Sequence, residues 1–167
     1  MTISPLTTLE FRKALGEFST GVTVVTVERE LGKIQGMTAN SFTSVSLDPL
    51  LILVCVDRRA KILPFLQKKK RFGVSVPKAG QQAVSEYFAR GVHSADAEER
   101  LSIRYVRTPS GIPVLENALL HLGCSVVAAH LAGDHTIFVG EVHDAEVHEG
   151  DPLLYFRGEY HTIARHR

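Results

Sequence analysis

Nine residues, Thr38 to Ser46, carry five hydroxyls and one amide, and they run through Asp48-Pro49 into the apolar Leu50-Leu51-Ile52-Leu53-Val54-Cys55-Val56. The apolar run has the length and composition of a core strand. A polar stretch beside such a strand must find partners for its hydroxyls, because burying one unpaired costs about 1–3 kcal/mol on mutational scales. Two arrangements satisfy it. Either the segment is an outer strand facing water, or a polar ligand such as a phosphorylated cofactor meets it.

The rest of the chain reads as strands with few helices. Thr7-Thr8-Leu9-Glu10 has the form of a capping box and opens a helix through Phe18, with Phe11, Leu15 and Phe18 on one face. Gly21 releases the chain into the β-branched Val22-Thr23-Val24-Val25-Thr26-Val27. Further strands are expected over 34–46, 50–56 and 72–76, with short helices over 59–69, re-started at Pro64, and 81–90. Residues 91–113 are the least patterned and predict a mobile surface excursion. Strands return over 123–131, 136–148 and 152–163, separated by Gly133-Asp134 and Gly150-Asp151. Six or seven strands in hairpin-like succession, without βαβ rhythm or internal repeat, predict an antiparallel sheet closed into a barrel.

The 167 residues fit one domain over 1–167, with 44% hydrophobic and 22% charged residues and a net charge of +1. That balance gives no reason to expect a nucleic-acid partner, and Lys68-Lys69-Lys70-Arg71, with no aromatic interleaved, reads as a solvated helix end. No apolar stretch reaches the ~18 residues a membrane span needs. The two cysteines, Cys55 and Cys124, each sit in an apolar run and read as buried free thiols. With no secretory pattern at the start, the expected compartment is the cytoplasm.

Motif absences narrow the chemistry. The chain contains no G-x-G-x-x-G, no H-E-x-x-H and no G-x-S-x-G, and no carboxylate pair stands out for acid–base work. Glu141 and His143, with His148 shortly after, read as exposed polar positions of a barrel strand, so no metal site is expected. Gly133-Asp134 delivers His135 to the first position of an apolar strand, at the rim of the sheet. Such a histidine is either a structural hydrogen-bonder or a site residue.

Four blocks together resemble the short-chain flavin reductase family, the reductase partners of two-component flavin-dependent monooxygenases. They are Phe11-Arg12 with Ser19 to Thr26; Gly36 through Val56; Gly133 through Val142; and Pro152 to Tyr160. They lie in the family's order and at similar spacing across nearly the whole chain.

The resemblance implies an FMN-binding split β-barrel working as a homodimer. It also implies hydride transfer from NADH or NADPH to FMN or FAD, with reduced flavin supplied to a separate oxygenase. Thr38, Ala39, Asn40 and Ser41 would line the flavin ring edge, and Thr20, Gly21 and Val22 would border the ring. Ser44, Ser46 and one of Arg58, Arg59 or Lys61 would hold the phosphate. Thr43, Cys55 and Val56 fall in the same cofactor-binding stretch, Tyr160 would reach the dimer interface or flavin pocket, and His135 would meet the nicotinamide. Two stretches depart from the family pattern: Asp57-Arg58-Arg59 stands where small hydroxyl residues are frequent, and Ala97 to Leu101 replaces a more conventional motif. The alternatives are a tight flavin-binding electron carrier, a heme-binding barrel, and a pyridoxine-phosphate-oxidase-like flavoprotein on the same fold.

Overall fold

The capping box forms as the sequence predicts. In a computed structural model that describes residues 5–91 and 93–164, Thr7 Oγ1 accepts from the Glu10 backbone N–H, and the Glu10 carboxylate accepts from the Thr7 backbone N–H. It opens helix α1 (Thr8–Leu15), which ends before Phe18. The termini of the expected 1–167 domain and residue 92 lie outside the described residues.

The barrel is built from β2 (Thr23–Glu28), β3 (Ile34–Ala39), β4 (Phe42–Leu47), β5 (Leu50–Asp57), β6 (Arg71–Val76), β9 (Leu120–Ala132) and β10 (His135–Val147), while β1 (Thr20–Gly21) lies outside it. These seven form one antiparallel sheet in the order β3-β2-β6-β9-β10-β5-β4, and β3 also comes into contact with β5. β5 shows the alternation of a half-buried strand: Ile52, Val54 and Val56 point inward and Leu51, Leu53 and Cys55 are only partly covered. Val25, Phe72, Cys124 and Phe138 fill the same interior, and helix α2 (Leu63–Lys69) covers it with Leu66. The long β9–β10 hairpin turns at Gly133, whose φ of +60° is the left-handed backbone that tight two-residue turns require.

A second, smaller core lies under helix α3 (Gln82–Ala89), where Tyr87 and Phe88 meet Val24, Leu115 and Ala118. Helix α4 (Ala95–Arg100) and strands β7 (Tyr105–Arg107) and β8 (Pro113–Leu115) complete this layer. Finally, β11 (Leu153–Phe156) and β12 (Glu159–Thr162) form a hairpin that adds β1 at its edge.

Five expectations need correction. The strand over 34–46 breaks into β3 and β4 at Asn40-Ser41, and that over 152–163 folds back at Arg157-Gly158, where both residues have positive φ. The helix over 59–69 starts only at Leu63. The described residues of 91–113 are not unpatterned: they form α4, β7 and the start of β8 and rest on the second core. Leu101, Ile103 and Tyr105 pack against the second core, and Tyr87 and Tyr105 both donate their hydroxyls to Glu98 at 3.1 and 3.2 Å. Arg107 makes a bidentate pair with Glu28 on β2. Cys124 is buried, as expected, and burial pushes its thiol up to about 12, but Cys55 is only partly buried. Among the described residues, no helix is long and apolar enough to cross a membrane.

Candidate functional site

Two cavities meet where β3 passes α3, sharing Thr38 and Ala89. The larger has a volume of about 540 Å³ and lies between β3, the β5 end and the C-terminal end of α3. The smaller, about 200 Å³, lies between Val22, Ala39, Asn40, Tyr155 and Tyr160.

The first exists because of Gly36. A Cβ there would come within 2.5 Å of the Phe88 ring, so only glycine lets α3 pack this close to β3. Its wall carries Arg59, Lys61 and Arg90 against a single carboxylate, Asp57. Arg59 is already committed: its guanidinium binds both Asp57 oxygens and its backbone N–H donates to Oδ1 at 2.7 Å. That pairing holds the Asp57 carboxyl well below the usual carboxylate range. Neither the Lys61 ammonium nor the Arg90 guanidinium has a side-chain hydrogen bond or ion pair among the described residues, so both are uncompensated cations of the wall. Such a donor set suits a phosphate monoester or diphosphate.

The second cavity is organised by a chain of hydrogen bonds through α3. Thr38 Oγ1 donates to the Ser85 carbonyl at 2.6 Å, and Ser85 Oγ lies 3.0 Å from Tyr160 Oη. Tyr155 and Tyr160 are cross-strand partners whose rings pack edge to face at 5.3 Å. They present aromatic surface to a cavity floored by the β3 backbone, a setting for a planar heterocycle. Thr20 pairs with Tyr155 and Gly21 with Leu154, so β1 borders this end, and Thr20 Oγ1 is buried without a partner among the described residues.

His135 opens β10 directly opposite Asp57 in the β5–β10 register; Asp57 lines the larger cavity and His135 itself does not. Asp134 Oδ1 accepts from Nδ1–H at 2.7 Å and orients the ring, and the same contact lowers the Asp134 carboxyl. A neutral ring so held presents Nε2 as an acceptor.

The remaining predicted residues fall elsewhere. Ser41 exchanges hydrogen bonds with the Cys55 backbone, at 3.0 Å to the carbonyl and 3.3 Å from the N–H, and so locks the start of β4 onto β5. The Val56 side chain belongs to the barrel interior. Arg58 donates its backbone N–H to the Asp134 carbonyl and lines neither cavity. Thr43, Ser44 and Ser46 are not brought to the phosphate-type wall: they sit on the outermost strand of the sheet, where Ser46 Oγ accepts from the Asp48 N–H. The alternative of an outer, water-facing strand describes β4. Sequence reasoning missed Gln35, Gly36, Ser85, Ala89, Arg90 and Tyr155. Period-two spacing from Thr38 would have found Gly36, but nothing local ties α3 to β3.

A flavin reductase like domain model matches residues 15–164. An NADH-dependent flavin reductase from a Rhodococcus species is 42% identical over 160 residues, covering 95% of this chain and 88% of its own length. The reductase component of 4-hydroxyphenylacetate 3-monooxygenase from Thermus thermophilus is 39% identical over 155 residues, covering 92% and 95%. The NADH:FAD oxidoreductase of Streptomyces globisporus, solved in complex with NAD and FAD fragments, superposes with a TM-score of 0.86 at 38% identity, covering 98% of this chain and 97% of that one. The antiparallel barrel, the paired cavities and these likenesses agree: the chain belongs to the flavin reductase like family.

Proposed function

We propose that this chain is an NADH-dependent flavin reductase, a single domain over 1–167 that binds FMN or FAD and delivers the reduced flavin to a separate oxygenase component. The observation that carries the site assignment is the adjoining pair of cavities, one basic and one aromatic, joined at Thr38. A flavin mononucleotide has the same two ends. In this reading the phosphate lies toward Lys61 and Arg59, rather than Ser44 and Ser46. The isoalloxazine lies along the backbone of Thr38 to Asn40, bordered by Val22, Tyr155 and Tyr160.

The flavin supplies the chemistry when bound, because its N5 accepts hydride from C4 of the reduced nicotinamide. The protein's part is to hold two rings at a near-attack separation of about 3–3.5 Å. No side-chain acid or nucleophile is required, in keeping with the missing catalytic motifs. His135 is a positioning residue for the nicotinamide: with Nδ1–H given to Asp134, Nε2 accepts from a carboxamide N–H. The Asp57–Arg59 pair stiffens the loop that carries Lys61. The protein is a homodimer in this reading, supported by the uncovered apolar face of α1, where Leu9, Phe11 and Leu15 are all exposed.

The deciding experiment follows NADH oxidation while FMN, FAD or riboflavin is titrated in. Turnover that depends on and saturates with added flavin is expected. A yellow protein whose bound flavin does not exchange, with no turnover on added flavin, would move the reading to an electron carrier.

A further inference from the structure

At the opposite end of the β9–β10 hairpin from His135, three side chains converge that the flavin site does not use. His121 on β9 and Glu146 on β10 are register partners, and His148 follows one residue after β10 ends. Their ligating atoms all lie within 4.8 Å of one another. His121 Nδ1 is 3.4 Å from His148 Nε2 and 3.7 Å from Glu146 Oε2, and His148 Nε2 is 3.8 Å from Glu146 Oε1.

We propose that His121 Nδ1, His148 Nε2 and a Glu146 carboxylate oxygen form a binding site for a divalent transition-metal cation, Zn²⁺ in the first place.

Three observations support it. The first is spacing. A tetrahedral ion with bonds of about 2.0–2.1 Å sets its donors roughly 3.3–3.4 Å apart. The two imidazole nitrogens already stand at that spacing, 3.4 Å apart, and Glu146, an exposed side chain free to move, has to bring one oxygen in from within 4.8 Å of both.

The second is the environment of the inner ligand. The His121 imidazole is buried, and its Nε2–H donates to the Leu115 carbonyl at 2.7 Å. That bond fixes the tautomer and turns the Nδ1 lone pair toward Glu146 and His148, the arrangement that outer-shell carbonyls impose on metal-bound histidines.

The third is room for a further ligand. His121 and Glu146 also line a cavity of about 470 Å³, which leaves space for water at a fourth position. Two imidazoles in a set of three select zinc, copper or nickel over calcium or magnesium, which take oxygen donors. A bound ion would staple the last rungs of the hairpin, where the His148 N–H already donates to the Leu119 carbonyl at 2.8 Å. It would stabilise the folded chain without touching the flavin site, because β10 spans 13 residues and an extended strand of that length separates its ends by about 40 Å.

The test uses tag-free protein, with zinc chloride in calorimetry and cobalt chloride in visible spectroscopy. One Zn²⁺ per chain is expected, and Co²⁺ should give the intense d–d bands of a tetrahedral site, bleached by zinc. His148→Ala and Glu146→Gln, both at the surface side of the cluster, should each weaken zinc binding at least about tenfold. His143→Ala should leave it unchanged, since that ring is hydrogen-bonded to Ser125 Oγ instead. Flavin-dependent NADH oxidation should be the same with zinc or with chelator, which separates this site from the flavin reading. Absence of saturable zinc binding by the wild-type protein overturns the proposal. So does full affinity in both His148→Ala and Glu146→Gln, or a loss of affinity in His143→Ala.

Discussion

Lys61 and His135 divide the two ends of the proposed reaction between them, and each carries its own test. Lys61 is a free cation of the basic wall, as is Arg90, and a charge-assisted hydrogen bond is worth roughly 1.5–3 kcal/mol. Lys61→Ala should therefore weaken FMN binding about 10- to 100-fold while leaving riboflavin, which lacks the phosphate, nearly unaffected. Equal losses for both ligands in fluorescence titrations would place the phosphate elsewhere. His135→Ala should raise KM for NADH several-fold with little change in flavin affinity. Unaltered steady-state kinetics would remove His135 from the nicotinamide side. Both residues were legible from sequence as candidates, because a Gly-Asp turn before an apolar strand marks a rim and a basic cluster after a core strand marks its end. Which of Arg58, Arg59 and Lys61 stays available was not legible. That depends on Asp57 capturing Arg59 and on Arg58 turning away from the cavity, both products of the β5–β10 register.

At the scale of elements, the contact of α3 with β3 makes the larger cavity, and Gly36 is its narrowest point. Gly36→Ala would force a Cβ against the Phe88 ring. Overpacking of this kind costs about 1–3 kcal/mol, which a urea midpoint would report, with weakened flavin binding alongside. A midpoint equal to wild type would mean that α3 moves aside at no cost. The segment that follows α3 braces the same wall through His93, whose Nδ1 lies 2.9 Å from Gln35 Nε2 and whose ring packs on Tyr87 and Phe88. Burial, with Lys61 and Arg29 nearby, lowers the His93 pKa from its ordinary value. The unfolded chain then binds more protons than the folded one, so this contribution is complete above about pH 6.5 and is lost as the pH falls below it. His93→Gln should flatten the decline in urea midpoint between neutral and mildly acidic pH. Parallel profiles for the two proteins would show that His93 is not the group responsible.

For the whole molecule, the open question is what covers α1. The helix buries none of its own residues in the chain, yet it is held in place: the Arg157 N–H donates to the Gly16 carbonyl, and the Arg157 guanidinium forms a bidentate pair with Glu17. The helix exposes Phe11 and Leu15, and Phe18 just beyond its end is exposed with them, an apolar patch of the kind that the proposed homodimer would bury against a second copy of the chain. Sedimentation should give twice the 18.4 kDa chain mass, and Phe18→Lys should shift the population toward monomer. A wild-type protein that sediments as a monomer at micromolar concentration would refute the dimer.

The mainly antiparallel β class was legible in the chain alone, because β-branched runs, period-two alternation and Gly/Asp/Pro turns act over a few residues, whereas the order of the strands in the sheet was not. The sequence also carried the family likeness, and it singled out Thr38 to Asn40, which line the paired cavities, and His135, the register partner of a cavity residue, since each stands beside a local signal. That Tyr155 lines the smaller cavity beside Tyr160, and that Ser85 hydrogen-bonds Tyr160 there, became visible only in the folded chain. Only the structure showed that Ser44 and Ser46 lie on an outer edge, that Leu101, Ile103 and Tyr105 pack on the second core, and that His121 meets Glu146 and His148. These juxtapositions join positions tens of residues apart through strand register and helix docking. No window of sequence contains the free energy that brings them together.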